Sequence, residues 1–334
     1  MAETTALTDV TALVREELDE VAHIVHAALE PESPELRGLL DHAGRFRGKQ
    51  LRPALVLLAA KAVGEVQPAH LTIAAVVEML HAATLVHDDI LDGAGLRRGL
   101  PTIHAVSGAE VAVLLGDYLY AKAFHMAVAL DDPRCSRVLS ETVRVICQGE
   151  MTQMVHRFDA DLSEAKYFEI IRDKTAVLYG ASSRLGAAYA GADADVAARF
   201  QVFGDQLGLA FQIVDDILDV DGDEAVVGKS LGTDFGKGKL TLPFLWMLDR
   251  AGAVERRRFV DLYARHATGD VSPIDTVAQR RLLEGFDLPG GVRYAHERAD
   301  ECLRTAVESL AGLPSNPAVD ALRSMADYVL HRQR

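Results

Sequence analysis

A net charge of −14 over 334 residues, 35 Lys and Arg against 49 Asp and Glu, argues against nucleic acid as a partner, because gripping phosphate backbones needs clustered positive charge. At 49% hydrophobic the chain can bury a substantial core, as one large domain or two, and nothing in it marks a break between two. Aromatic residues make up only 6%, Ala and Leu are abundant and β-branched runs are short, so the expectation is an all-α fold.

Cys135, Cys147 and Cys302 are odd in number and lack CxxC spacing, which reads as reduced thiols and a cytoplasmic location. Met1 to Asp9 lacks the basic and apolar blocks of a signal peptide, and residues 1–9 are expected to be disordered. No stretch is expected to approach the ~18 uncharged apolar residues of a membrane span.

In chain order, an amphipathic pattern (Val10, Leu13, Val14, Leu18, Val21, Ile24, Val25, Leu29) predicts a first helix that stops before Pro31. A short helix over Leu36 to His42 leads to a basic loop, Gly44 to Gln50, and then to an apolar helix that starts near Pro53. The next helix, about His70 to Asp92, ends in Asp88-Asp89-Ile90-Leu91-Asp92. A turn with Arg97-Arg98 follows, then helices over about 109–130, 135–158, 163–190 and 193–220. The last of these ends in a second copy of the same pentapeptide, Asp215-Asp216-Ile217-Leu218-Asp219. Asp221 to Lys239, with five glycines and three lysines, is the most irregular stretch, and helices over about 239–249, 254–266, 272–284, 292–311 and 317–332 complete the chain.

On a helix, residues four apart share a face, so Asp88 and Asp92, like Asp215 and Asp219, point the same way and repel. Two such clusters in apolar context are costly unless a cation sits among them. The donors are hard oxygens without zinc-site Cys or His spacing, which favours Mg²⁺. An EF-hand fails, because Glu224 stands where its loop needs Gly and Ser230 where it needs Glu. Lys49 and Arg52, Arg97 and Arg98, Lys174, and Lys229 with Lys239 supply the cations that hold polyanions. The glycine-rich loop is no Walker A motif, since only three residues, not four, separate Gly232 from Gly236 and Lys239 precedes Leu240. Acids and bases together suit a diphosphate bridged by Mg²⁺, with electrons drawn from an allylic ester oxygen.

The ordered set GKQLRP (48–53), HAATLVHDDILDGAGLRRGLPT (81–102), Gly116-Asp117, Gly149-Glu150 with Gln153, Lys174-Thr175, FQIVDDILD (211–219) and GKSLGTDFGKGKLTLP (228–243) resembles the trans (E-type) isoprenyl diphosphate synthases, or polyprenyl synthetases. The resemblance implies a single domain with the isoprenoid synthase fold, helices around a deep central cavity, a homodimer, and three Mg²⁺ ions per active site. It implies that Asp88, Asp89, Asp92, Asp215, Asp216 and Asp219 hold metal against an allylic diphosphate, with Asp88 and Asp215 counted among the catalytic groups. Arg97, Lys174, Lys229 and Lys239 would contact that diphosphate, while Lys49, Arg52, His81 and Arg98 would hold isopentenyl diphosphate. A histidine on an apolar helix is commonly a core residue, but His81 lies two turns before Asp88 on the same face. Thr175 and Gln212 sit where the family stabilises the developing carbocation, and Arg332 and Arg334 would help close over isopentenyl diphosphate.

For product length, each helical turn advances about 5.4 Å, close to one isoprene unit, so the first large side chain below Asp88 acts as a floor. Ala83 and Thr84 are small, without the aromatic residue of shorter-chain enzymes, and Leu80 lies deeper. With no insertion in the first motif, the resemblance points to hexaprenyl to decaprenyl products. Geranylgeranyl diphosphate synthase is the alternative. A class I terpene cyclase is disfavoured by the second DDxxD, and a non-catalytic synthase subunit by the retention of both motifs. A greasy product would bring the protein beside a membrane.

Overall fold

The computed structural model describes residues 7–30, 33–44, 49–97, 99–221, 233–267 and 285–332. The helices are α1 (Leu7–Val10), α2 (Arg15–Ala28), α3 (Arg37–Gly44), α4 (Leu51–Val63), α5 (Pro68–Leu91), α6 (Ile103–Ser107), α7 (Ala109–Val128) and α8 (Arg134–Val155). They continue as α9 (Glu164–Ile171), α10 (Val177–Tyr189), α11 (Ala194–Asp221), α12 (Thr233–Gly236), α13 (Leu242–Arg250), α14 (Ala253–Ala267), α15 (Leu288–Ser309) and α16 (Pro317–His331). The all-α expectation holds: among the described residues the only strands are Leu96–Arg97 and Leu100–Pro101, antiparallel, with Leu96 opposite Pro101. Leu7–Val10 forms a helical turn inside the stretch expected to be disordered, and residues 1–6 lie outside the description. The helix expected over 272–284 and most of the glycine-rich loop also lie outside it.

Two compact units interleave along the chain. The first takes in the described residues of Met1–Arg144, Val177–Asp205 and Ala306–Tyr328; the second takes in those of Val145–Ala176, Gln206–Thr305 and Val329–Arg334.

In the first unit α5 is packed by α2, α4, α7 and α10. This enclosure explains a sequence that is apolar on all sides, with Ile73, Ala74, Val76, Val77, Leu80 and Ala83 all buried. By length and composition α5 and α7 could each cross a membrane, with mean hydropathies of 1.6 and 1.2, although charged residues interrupt both, Glu78 in α5 and Asp117 and Lys122 in α7. A core helix needs the same composition as a span, and α5 is one. α7 turns Leu115, Leu119, Ala123 and Ala127 inward but leaves Val113, Leu114 and Val128 exposed.

The start of α5 is set by Pro68 in its first turn and by a reciprocal cap. Fully buried His70 accepts the Gln67 N–H at Nδ1 (2.8 Å), and its Nε2–H donates to the Gly186 carbonyl (3.1 Å). A proton on Nδ1 would destroy the first bond, and burial holds the imidazole below its ordinary pKa. The unfolded chain therefore takes up the proton first, so stability is full above about pH 6.5 and falls as pH drops toward the lowered folded value. We expect the Tm of the wild-type protein to fall more steeply between pH 7 and 5 than that of His70→Gln, with the variant less stable at pH 7.5. Parallel Tm profiles would refute this role.

Candidate active site

In the second unit the helix expected over 163–190 is interrupted. After α9, the chain makes a π turn over Arg172–Ala176 before α10 resumes, a local widening that often marks functional positions. Lys174 and Thr175 sit on this turn. α8 approaches it closely because position 149 is glycine: a Cβ there would lie 2.6 Å from the Lys174 backbone N. The same helix supplies the partners of Lys174, whose Nζ lies 2.6 Å from Glu150 Oε2 and donates to Gln153 Oε1 at 2.9 Å.

Lys174, Thr175, Gln212, Asp216 and Lys239, five residues singled out from the sequence, line one pocket of about 590 Å³, open solvent at its mouth included. Gln153, His156, Tyr167 and Asp234 join them. Their hydrogen bonds form a chain. Thr175 Oγ1 donates to Gln212 Oε1 (2.9 Å), Gln212 Nε2 donates to Asp216 Oδ1 (2.8 Å), and Tyr167 Oη donates to Asp216 Oδ2 (2.6 Å). Burial, and then the neighbouring Asp234 carboxylate, push the Asp216 pKa up to about 8, although the Tyr167 and Gln212 donors pull it down. Lys239 Nζ stands 4.0 Å from Asp234 Oδ1.

The other two aspartates of the second motif have partners of their own. Asp219, almost fully buried, accepts the Asp234 N–H at Oδ2 (3.1 Å) and so anchors the start of α12. Asp215 is half-exposed and receives Arg332 Nη2 at 3.3 Å. Arg332 also donates to the Phe211 carbonyl (2.8 Å) and lies over the Phe211 ring at 3.7 Å. Arg332, expected to help close over isopentenyl diphosphate, thus has its guanidinium held on the second acidic motif.

The first unit holds the first motif. Asp89, at the end of α5, is buried and gripped by Arg97, whose Nε reaches both carboxylate oxygens (2.8 and 3.0 Å) and whose Nη2 lies 2.8 Å from Oδ1. Asp88 and Asp92 are partly buried, and the Asp92 N–H closes the helix on the Asp88 carbonyl (2.8 Å). His81 is half-buried two turns earlier. Ala83 and Leu80 are fully buried, whereas Thr84 keeps some exposure and donates to the His81 carbonyl (2.7 Å). Arg52 lies 4.3 Å over the Tyr179 ring, and Lys49 Nζ is 5.5 Å from the Tyr328 ring centroid. Arg98, Lys229 and Arg334 fall outside the described residues.

The polyprenyl synthetase family profile matches residues 33–279. The chain belongs to the polyprenyl synthetase family. Octaprenyl diphosphate synthase of Escherichia coli is 36% identical over 289 residues, which is 86% of this chain and 87% of that protein. Geranylgeranyl diphosphate synthase of Methanosarcina mazei is 35% identical over 291 residues, 86% of each chain. Among solved structures, a polyprenyl synthase from Caulobacter crescentus, in complex with calcium and isoprenyl diphosphate, superposes with a TM-score of 0.92 at 33% identity over 100% of both chains. This protein is accordingly a prenyltransferase with the all-α isoprenoid synthase fold.

Polyprenyl synthetases depend on Mg²⁺. The residues here suit that ion: the donors are carboxylate oxygens, and a buried carboxylate pushed up by burial and by its acidic neighbours marks a place short of positive charge. Among the described residues no three His, Cys, Asp or Glu side chains already form a closed metal cage.

Sequence reasoning missed Tyr167, Asp234 and His156. Tyr167 stands in a Tyr-Phe-Glu-Ile-Ile run that reads as core, and its one available signal is the seven-residue interval to Lys174. A methyl group at position 149 would meet backbone that has no way to rotate aside. We expect Gly149→Ala to lower the Tm by several degrees and prenyl transfer at least tenfold, read by calorimetry and by initial rates; an unchanged rate would show that the approach of α8 to the π turn is dispensable.

Proposed function

We propose that the chain condenses isopentenyl diphosphate with an allylic diphosphate, head to tail, to give an all-trans polyprenyl diphosphate of long chain, hexaprenyl to decaprenyl. The observation that carries this reading is the pocket in which Lys174, Lys239, Thr175, Gln212 and Asp216 meet. Family membership supports extending it to both acidic motifs, so that Asp88, Asp89, Asp92, Asp215, Asp216 and Asp219 hold three Mg²⁺ ions. When bound, Mg²⁺ neutralises charge that builds on the departing diphosphate.

Lys174 and Lys239, with Arg97 and Lys229, would hold the oxygens of the allylic diphosphate, while Lys49, Arg52, His81 and Arg98 hold isopentenyl diphosphate. The allylic C–O bond breaks with its electron pair going to the diphosphate oxygen. Thr175 gives its only hydroxyl proton to Gln212, so its oxygen presents lone pairs to any neighbouring positive charge. Gln212 is oriented by donating to Asp216 and accepting from Thr175. Such fixed dipoles need no reorganisation as the allylic cation develops. The double bond of isopentenyl diphosphate attacks the cation, and loss of a proton to the released diphosphate restores an allylic product one unit longer.

Small Ala83 and Thr84 below Asp88 support the long product, and the exposed Val113, Leu114 and Val128 on α7 support a homodimer in which a second copy covers them. A cytoplasmic enzyme with such a product would release it at a membrane surface. Purified protein given Mg²⁺, farnesyl diphosphate and labelled isopentenyl diphosphate is expected to yield labelled products of thirty carbons or more. A product confined to geranylgeranyl diphosphate would favour the shorter assignment, cyclised hydrocarbon would mean a cyclase, and no turnover would mean a subunit that needs a partner. Ala83→Tyr is expected to shift the main product to farnesyl or geranylgeranyl diphosphate; because Ala83 is fully buried, the Tm is measured alongside. An unchanged product spectrum from folded variant would remove Ala83 from the chain-length determinants.

A further inference from the structure

We propose that Tyr167 is a positioning residue of the second acidic motif, fixing the Asp216 carboxylate in the orientation that accepts a divalent cation; this rests on the diphosphate and Mg²⁺ reading of the pocket. Tyr167 stands in the first turn of α9, where the Ser163 hydroxyl accepts the Lys166 N–H (3.2 Å) and the Ser163 carbonyl accepts the Tyr167 N–H (2.9 Å). The helix start, and with it the phenol, is thus tied down. Its side chain is buried at 3% exposure, and its ring meets Phe168 edge-on at 5.5 Å.

The 2.6 Å bond from Oη to Asp216 Oδ2 is among the shorter ones in the protein. It cannot be replaced by water at so closed a position, because Asp216 itself is only 4% exposed. Each carboxylate oxygen offers about two acceptor directions. Tyr167 takes one on Oδ2 and Gln212 one on Oδ1, so the carboxylate plane is pinned from both sides and one direction on each oxygen stays open. A ligand held in this way loses no rotational freedom when the ion arrives, which is how outer partners raise metal affinity. Gln212 alone would leave the group free to swing about its bond to Oδ1. The interaction differs from ordinary core packing in needing only the hydroxyl: a phenyl ring at position 167 would fill the same space.

The test is Tyr167→Phe beside Tyr294→Phe. Tyr294 Oη also donates to a carboxylate, that of Glu164 (2.9 Å to each oxygen), but lines no part of the pocket. Mn²⁺ binding in the presence of inorganic pyrophosphate is followed by electron paramagnetic resonance, together with the Tm of the metal-free proteins. Tyr167→Phe is expected to weaken Mn²⁺ binding about tenfold or more, the range for removal of an outer partner, while Tyr294→Phe leaves it unchanged. In steady-state assays the Mg²⁺ concentration for half-maximal rate should rise with KM for isopentenyl diphosphate unaltered. Tyr167→Met, without ring or donor, should lose affinity to the same extent, which guards against a folding defect peculiar to the phenylalanine variant. Wild-type affinity in Tyr167→Phe would overturn the proposal and leave the reading of the pocket intact. Absence of Mn²⁺ and pyrophosphate binding in the wild-type protein would overturn both.

Discussion

The constraint on which the structure turns is the pairing of Arg97, Lys174, Lys239 and Arg332, beside the acidic motifs and the pocket, with carboxylates of the same chain. Arg97 grips Asp89, Lys174 contacts Glu150, Lys239 stands near Asp234, and Arg332 reaches Asp215. An unpaired charge in a buried site is expensive, and a pair costs far less. An internal partner for each of these four cations lets them sit in or beside a site without an uncompensated charge. The overall charge of −14 belongs to the same arrangement, since the acids outnumber the bases they serve.

Asp216 is the exception that shows how the balance is struck. Its partners are neutral donors, Tyr167 and Gln212, and they lower its cost of burial without cancelling its charge. Burial and then Asp234 pull its pKa up, and a cation beside it would act in the opposite direction. The π turn belongs to this picture too. By widening the helix at Arg172–Ala176 it brings Thr175 within hydrogen-bond reach of Gln212 while Lys174 stays with Glu150 on α8.

Much of this was legible in the residues. Hydrophobic periodicity gave α5, α11 and α16 to within a few positions, whereas the first helix, read from residue 10, begins as α2 only at Arg15 after a 3-10 turn over Ala12–Val14. Of the residues that the basic and acidic motifs singled out, Lys174, Thr175, Gln212, Asp216 and Lys239 line one pocket. What escaped had no local mark. A π turn over Arg-Asp-Lys-Thr-Ala uses ordinary helix residues, so its extra residue leaves no compositional trace. Tyr167 looks like core because it is core, and only its hydroxyl has another task. The contact of Arg332 with Asp215 spans 117 positions, and charge alone does not say which acid a terminal arginine will meet. α8 was read three residues too long because Phe158, although apolar, has a left-handed backbone with φ of +62°.

Pairing cations with internal acids also sets an order on binding. A polyanion approaching Arg97 or Lys174 meets carboxylates at the same contact, and the repulsion between them offsets much of the attraction. A divalent cation held by Asp89 would satisfy that acid, loosen its hold on Arg97, and supply positive charge of its own to the anion. Metal and diphosphate should therefore each strengthen the binding of the other, by the reciprocity that linked equilibria require. Such coupling would need no moving lid, only acids that can exchange one cation for another.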